Sequence, residues 1–357
     1  YRLFRDLMGE HTALVAASLF ALHPAQSEVV SWIAARNDLM AAAFGFFALG
    51  MVWDGQRPSL KKWSLACVLT VMACLSKETA FVLPFLLFSA DMARGYKKGV
   101  WARCSPFLVG VVAVVGVRAF LGLGGATVPT GDGWMLLFDS FVGWAGAMGG
   151  AFLSPWPLSS ARDLAWVSLA SSGRLWVGLL FWLALFVVVS ASRHDRKRWM
   201  LMGLAWLIML LAITLVPTAD KGGFGDRFLY WPMAGLSVIF GVCCTSWWRI
   251  AIPALVVPAA VILHLRLPDW AHDRALWGAA VRDVPTPTNE LSLGHALTLH
   301  SRHKRAHVNF VSALAGTEVD IEACSPIVGS AMRAGLSEQA LRMGRWAIAR
   351  GCPKSGV

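Results

Sequence analysis

The chain has 357 residues, 57% of them hydrophobic and only 15% charged, with 18 Trp and a formal net charge of +11; its mean hydropathy is +0.58. These values exclude an ordinary water-soluble globule. They describe an all-α, polytopic membrane helix bundle over residues 1–267, followed by a small soluble helical domain over 268–357.

In chain order, Tyr1 to Glu10 reads as the end of a helix entering a loop; with neither an initiator Met nor a signal peptide, the chain is expected to be a fragment lacking its N-terminus. Apolar runs follow at about 11–22, 38–53, 63–76, 79–91, 105–122, 135–152, 172–192, 199–217, 228–247 and 250–265. Several are short for a hydrocarbon core that takes about 20 residues of helix to cross. Four basic clusters separate them: Arg2 and Arg5; Arg57, Lys61 and Lys62; Arg94, Lys97, Lys98 and Arg103; and Arg193, Arg196, Lys197 and Arg198. The positive-inside rule puts all four in the cytoplasm, so much of the net charge is a topology signal and no nucleic-acid partner is indicated.

Placing the clusters on one side makes Lys77-Glu78 the outer tip of a hairpin of short helices. It also removes 135–152 from the count of crossings. That segment carries Asp139, is rich in Gly and ends at Pro155-Trp156-Pro157, which suits an interfacial or re-entrant helix on the outer side. Nine crossings remain, and they send His23 to Asp38, Lys77-Glu78, Asp220 to Arg227 and the tail to the same outer face.

The stretch from His23 to Asp38 sets a histidine, two carboxylates and an arginine between two strongly apolar segments, where charge is costly. Pro24 breaks the helix there, and a broken helix within a bilayer must be buried or line a wet cavity. A lipid phosphate needs positive charge at membrane depth, and Arg36, Lys77 and Arg227 offer it, with Arg118 near an outer helix end and His23 as a hydrogen-bond donor. Glu28, Asp38, Glu78 and Asp226 are the carboxylates available to orient or deprotonate a hydroxyl. The plainer alternative pairs Arg36 with Asp38, Lys77 with Glu78 and Asp226 with Arg227 as helix-end charges neutralising one another. Three such clusters on one face favour a shared cavity.

In the tail, Gly294, Ala306, Phe310 and Ala313 have the spacing of a tetratricopeptide repeat, and Ala340 and Ala347 recur at its 34-residue period. Gly344 stands where the second copy should have an aromatic residue, and Cys352-Pro353 resembles a repeat end, so the repeat domain is expected to be incomplete. An ordinary helical hairpin is the alternative. Of the seven cysteines, Cys67, Cys74, Cys104, Cys243 and Cys244 lie in or beside apolar runs as small hydrophobes. Cys324 and Cys352 are left as a pair that an oxidising compartment could join. No CxxC or Cys/His spacing indicates a metal site.

Phe20-Ala21-Leu22-His23-Pro24 through Glu28, then Trp32 and Arg36-Asn37-Asp38-Leu39, resemble the opening segment of the transmembrane and tetratricopeptide repeat-containing O-mannosyltransferases and their bacterial relatives. Ser76-Lys77-Glu78-Thr79, Asp226-Arg227-Phe228-Leu229-Tyr230-Trp231-Pro232, and Asp269-Trp270 with Leu276-Trp277 resemble later segments of that family in the same order. The resemblance implies a GT-C type glycosyltransferase that moves a sugar, mannose in that family, from a polyprenyl-phosphate donor to an acceptor hydroxyl on a protein or glycan outside the cytoplasm. It implies that the catalytic carboxylate belongs to an acidic loop upstream of residue 1, so the catalytic residue is unknown within this chain. His23, Glu28, Arg36, Asp38, Lys77, Glu78, Asp226 and Arg227 then form the supporting, substrate-binding set. No cofactor is required, dependence on a divalent cation stays open, and the repeats would take a protein partner. The Ala-, Arg- and Trp-rich composition points to a bacterial inner membrane with a periplasmic tail; in a eukaryote the tail would face the endoplasmic reticulum lumen. A non-catalytic membrane-anchored repeat scaffold and a lipid-linked-sugar flippase or polymerase are the competing functions.

Overall fold

The computed structural model describes residues 1–96, 98–123, 173–221, 223–283, 285–315 and 328–338, with shorter pieces at 141, 145–146, 148–150, 152, 162–163, 340–342 and 345. These residues are helical apart from turns and two short extended pieces, Arg162–Asp163 and Gly223–Phe224. The chain divides into two compact units, Tyr1–Trp156 with Leu164–Leu263, and Pro157–Asp163 with His264–Val357. The sequence-based boundary at 267/268 lies four residues beyond the 263/264 division.

In the first unit the apolar runs become Glu10–Leu22, Arg36–Met51, Leu60–Ser76, Leu83–Arg94, Val100–Phe120, Arg174–Ala191, His194–Lys221, Met233–Cys244 and Trp248–Arg266, the last ending just past the unit. Local signals set their ends. Ser59 caps Leu60–Ser76 by accepting from the Lys62 amide at 3.4 Å, and Leu83–Arg94 stops at Gly95, whose φ of 79° is left-handed. Val100–Phe120, His194–Thr214 and Met233–Trp270 are long and apolar enough to cross a membrane, and the bent pair Glu10–Leu22 with Pro24–Ser31 makes up to four such spans. This supports a membrane protein. The expected count of nine is not reached by this measure, because Arg36–Met51 and Leu60–Ser76, with 16 and 17 residues, stop short of about 20. The outer helix expected near 135–152 falls outside the described residues except for isolated positions, as do Gly344, Ala347, Cys324 and Cys352.

The core of this unit centres on Trp206, which is fully buried and donates its indole N–H toward the Leu86 carbonyl (3.0 Å) and Ser89 Oγ (2.9 Å). Trp53 meets it edge-on at 6.4 Å. Trp231 packs so closely on Arg36–Met51 that a Cβ at Gly45 would lie 2.6 Å from its ring. Near the basic connections, Arg103 is buried and closes a clamp. Its Nε donates to Asp91 Oδ2 (2.9 Å), and its terminal nitrogens donate to the Gly55 and Tyr96 carbonyls at 2.8 and 3.2 Å. Arg94 stacks 4.0 Å above the Trp53 ring beside this clamp. Two members of the basic clusters, Arg94 and Arg103, are therefore also part of the packed structure.

In the second unit, Arg266 is buried and pairs with Asp269 (3.1 Å) and Asp283 (2.5 Å), bracketing the helix Asp273–Asp283. Next, Thr286 caps Pro287–Leu299 by accepting from the Asn289 amide at 3.2 Å, with Pro at the helix start where its missing N–H costs nothing. That helix packs on His303–Ala315, with Phe310, Ala306 and Ala313 buried between them. A Cβ at Gly294 would lie 2.4 Å from the Phe310 ring, so the close approach requires glycine. His307 bonds Ser330 at 3.3 Å, bringing the described piece after 328 onto this pair.

Candidate functional site

The site begins where Glu10–Leu22 ends. His23 is extended (φ −60°, ψ 129°), Pro24 opens a 3-10 turn, and the axis bends by 51° into Pro24–Ser31. Gln26 fastens the break, donating to the Phe20 carbonyl at 3.0 Å and toward the Tyr230 carbonyl at 3.4 Å. His23 is buried, and its two nitrogens are occupied: Nε2 faces the Phe152 carbonyl at 3.2 Å, and Nδ1 accepts from the Ala25 amide at 3.3 Å. A carbonyl can only accept, so the proton sits on Nε2 and the ring is neutral. In this arrangement the one N–H of His23 is directed at the Phe152 carbonyl.

Glu28 is 1% exposed and holds the same distant residue twice. Its Oε2 accepts from the Arg227 amide and its Oε1 from the Arg227 guanidinium, both at 2.8 Å. The guanidinium lies 5.0 Å from the Trp32 ring and 4.9 Å from that of Phe228. Lys77, in the connection after Leu60–Ser76, is ion-paired with Asp38 Oδ1 and lies 4.8 Å over the Phe228 ring. Phe228 is therefore shared by two cations. Burial pushes the Lys77 ammonium below the ordinary lysine value, and the Asp38 carboxylate pulls in the opposite direction. Asp226 is buried and within electrostatic reach of both His23 and Glu28, while Arg227 also feels Asp38.

Six of the eight residues singled out in the sequence thus converge: His23, Glu28, Asp38, Lys77, Asp226 and Arg227. The other two sit at the periphery. Glu78 is exposed and pairs with Arg118 at 2.7 Å, and Arg36 is exposed with no ion pair among the described residues. The neighbour-with-neighbour pairing considered above does not hold for Lys77, which joins Asp38 rather than Glu78, or for Arg36, which leaves Asp38 to Lys77. Trp32, Phe228 and Gln26 were not among the sequence candidates. Trp32 and Phe228 do lie inside the motif segments, but aromatic residues at helix ends ordinarily read as interfacial anchors.

Beside the charged array is an apolar cavity of about 380 Å³, into which His23 and Pro24 face with Leu19, Phe181 and Phe240. Leu236 and Ile262 both line it. In one straight helix they would be about 39 Å apart at 1.5 Å per residue, so the chain doubles back at Thr245–Trp247. The unbroken helical run Met233–Trp270 therefore comprises two arms around the cavity. Among the described residues no three His, Cys, Asp or Glu side chains group as a metal ion requires. No family model matches the chain, and no curated protein and no solved structure matches it either.

Proposed function

We propose that this chain belongs to a membrane glycosyltransferase of the GT-C type, which moves a sugar from a polyprenyl-phosphate donor to an acceptor hydroxyl on the extracytoplasmic side. The observation that carries the reading is the adjacency of a buried ion-pair array to an apolar cavity, joined through His23. The cavity suits part of a prenyl chain. Three cations, Arg36, Lys77 and Arg227, are balanced by three carboxylates, Glu28, Asp38 and Asp226, and Lys77 and Arg227 are already engaged. Arg36 is the member of the set left to meet the donor phosphate.

In the reaction the acceptor oxygen attacks the anomeric carbon, the bond from that carbon to the phosphate oxygen breaks, and the phosphate departs as an anion. The hydroxyl proton passes to a carboxylate base. Lys77 and Arg227, held in place by Asp38 and Glu28, keep their remaining N–H donors in fixed positions for the leaving phosphate, and Arg36 brings the unpaired positive charge. The sugar, acceptor specificity and tetratricopeptide character of the tail belong to the same proposal.

Full-length protein reconstituted with labelled polyprenyl-phosphate sugars and candidate protein acceptors tests it. Transfer that falls on R36A supports the reading, whereas a folded protein that transfers from none of these donors overturns it. The scaffold reading draws on the same closed ion pairs, because groups already neutralised need no substrate. It expects R36A and K77A to leave function intact and removal of 268–357 to abolish it.

A further inference from the structure

A second pocket, of about 510 Å³, lies where Arg174–Ala191 turns into His194–Lys221, with Cys243 from Met233–Cys244 on its far wall. Arg193 and Arg196 line it, both exposed, and neither has a carboxylate partner among the described residues. Lys197 differs: its ammonium caps the preceding helix by donating to the Ser190 carbonyl at 3.2 Å. The two arginines sit at the start of a 28-residue helix, whose N-terminus already carries partial positive charge. Asp195 is the single acidic residue in that first turn. Cations gathered at the positive end of a helix repel it and one another unless an anion joins them.

The pocket is continuous with apolar surface. Leu183, Phe186, Val187 and Val188 are exposed along Arg174–Ala191, and Val188 itself lines the pocket with Met200. In a bilayer this surface meets acyl chains, so an anion that reaches the arginines from the headgroup layer carries its chains beside them. We propose that the pocket binds the phosphate headgroup of an anionic phospholipid, with an acyl chain lying along Arg174–Ala191. Basic pockets between membrane helices at the bilayer boundary bind such headgroups. The inference is independent of the glycosyltransferase reading.

The test is native mass spectrometry of the full chain released from detergent containing phosphatidylglycerol or phosphatidylcholine, paired with alkylation of Cys243. Retained phosphatidylglycerol, with slowed Cys243 alkylation that phosphatidylcholine does not reproduce, is the expected result. R193A/R196A should weaken retention roughly tenfold or more, R193K/R196K should keep most of it, and R57A/K61A, which removes two charges from another basic connection, should leave it unchanged. Equal loss in R57A/K61A would reduce the effect to general interfacial charge and overturn the site. Glycerophosphate or inorganic phosphate protecting Cys243 as well as the diacyl lipid does would overturn the lipid assignment in favour of a soluble anion. An unchanged melting midpoint of R193A/R196A in neutral detergent separates lost binding from lost folding.

Discussion

Arg36 and Arg227 carry the same charge, but their surroundings separate what their removal should do. R227A would leave Glu28 buried without its guanidinium, and a stranded buried charge typically costs about 3–5 kcal/mol. Thermal unfolding in one fixed detergent should show that loss, and E28Q/R227M should recover most of it by removing both charges together. R36A removes an exposed, unpaired group and should change stability by less than about 0.5 kcal/mol. Sugar transfer should nonetheless fall by about 10²-fold, the usual scale for one lost electrostatic contact in a transition state. A fall in stability of R36A comparable to that of R227A would mean the guanidinium is structural. The chemistry-bearing residue types were legible in the sequence because charge is rare in apolar surroundings. Their partners were not: Glu28 and Arg227 are 199 positions apart, and no local pattern carries that information.

At the scale of elements, two glycines mark helix contacts with different visibility in the sequence. Gly294 belongs to a spaced set with Ala306, Phe310 and Ala313, so its role could be read in advance; Gly45 meets Trp231 from a distant helix and has no such signature. G294A forces the Phe310 ring to move and should cost about 1–3 kcal/mol. Faster amide exchange in Pro287–Leu299 and His303–Ala315, partly reversed by F310L in the G294A background, would report it. Partial desolvation on the exposed flank of its helix holds His295 below its ordinary pKa of 6.5, beside the Phe310 ring at 5.2 Å. The unfolded chain therefore binds the proton more readily. The contribution of this contact is intact above pH 6.5 and is lost as pH falls through the depressed folded value. Proteolysis at the turn that joins Pro287–Leu299 to His303–Ala315 should accelerate on acidification, and H295F should flatten that dependence.

For the whole molecule, composition alone announced helices and a membrane, since few other folds use so much apolar residue in long runs. The number of crossings was less legible, because runs of 12 to 17 residues stop short of a full span and are also ordinary lengths for a soluble helix. The cavity arms around Thr245–Trp247 show how a continuous helical run can still reverse direction. The expected topology is testable by single-cysteine labelling on the cysteine-free background. Cysteines at Arg57 and Arg196 should react from one side of the membrane, and those at Arg36 and Glu78 from the other. Labelling of all four from one side would remove the common outer face and with it the proposed donor site.

The grip of Glu28 on Arg227 also fixes an order of assembly. During synthesis at about 5–20 residues per second, Glu28 enters the membrane roughly 10–40 s before Arg227 leaves the ribosome. Through that interval its carboxylate must stay hydrated or carry a proton, so the first helices remain loosely joined around a wet gap. The Asp91–Arg103 clamp, separated by only 12 positions, can close almost at once. One side of the bundle is therefore sealed early in the life of the nascent chain, and the side where Glu28 meets Arg227 is completed late.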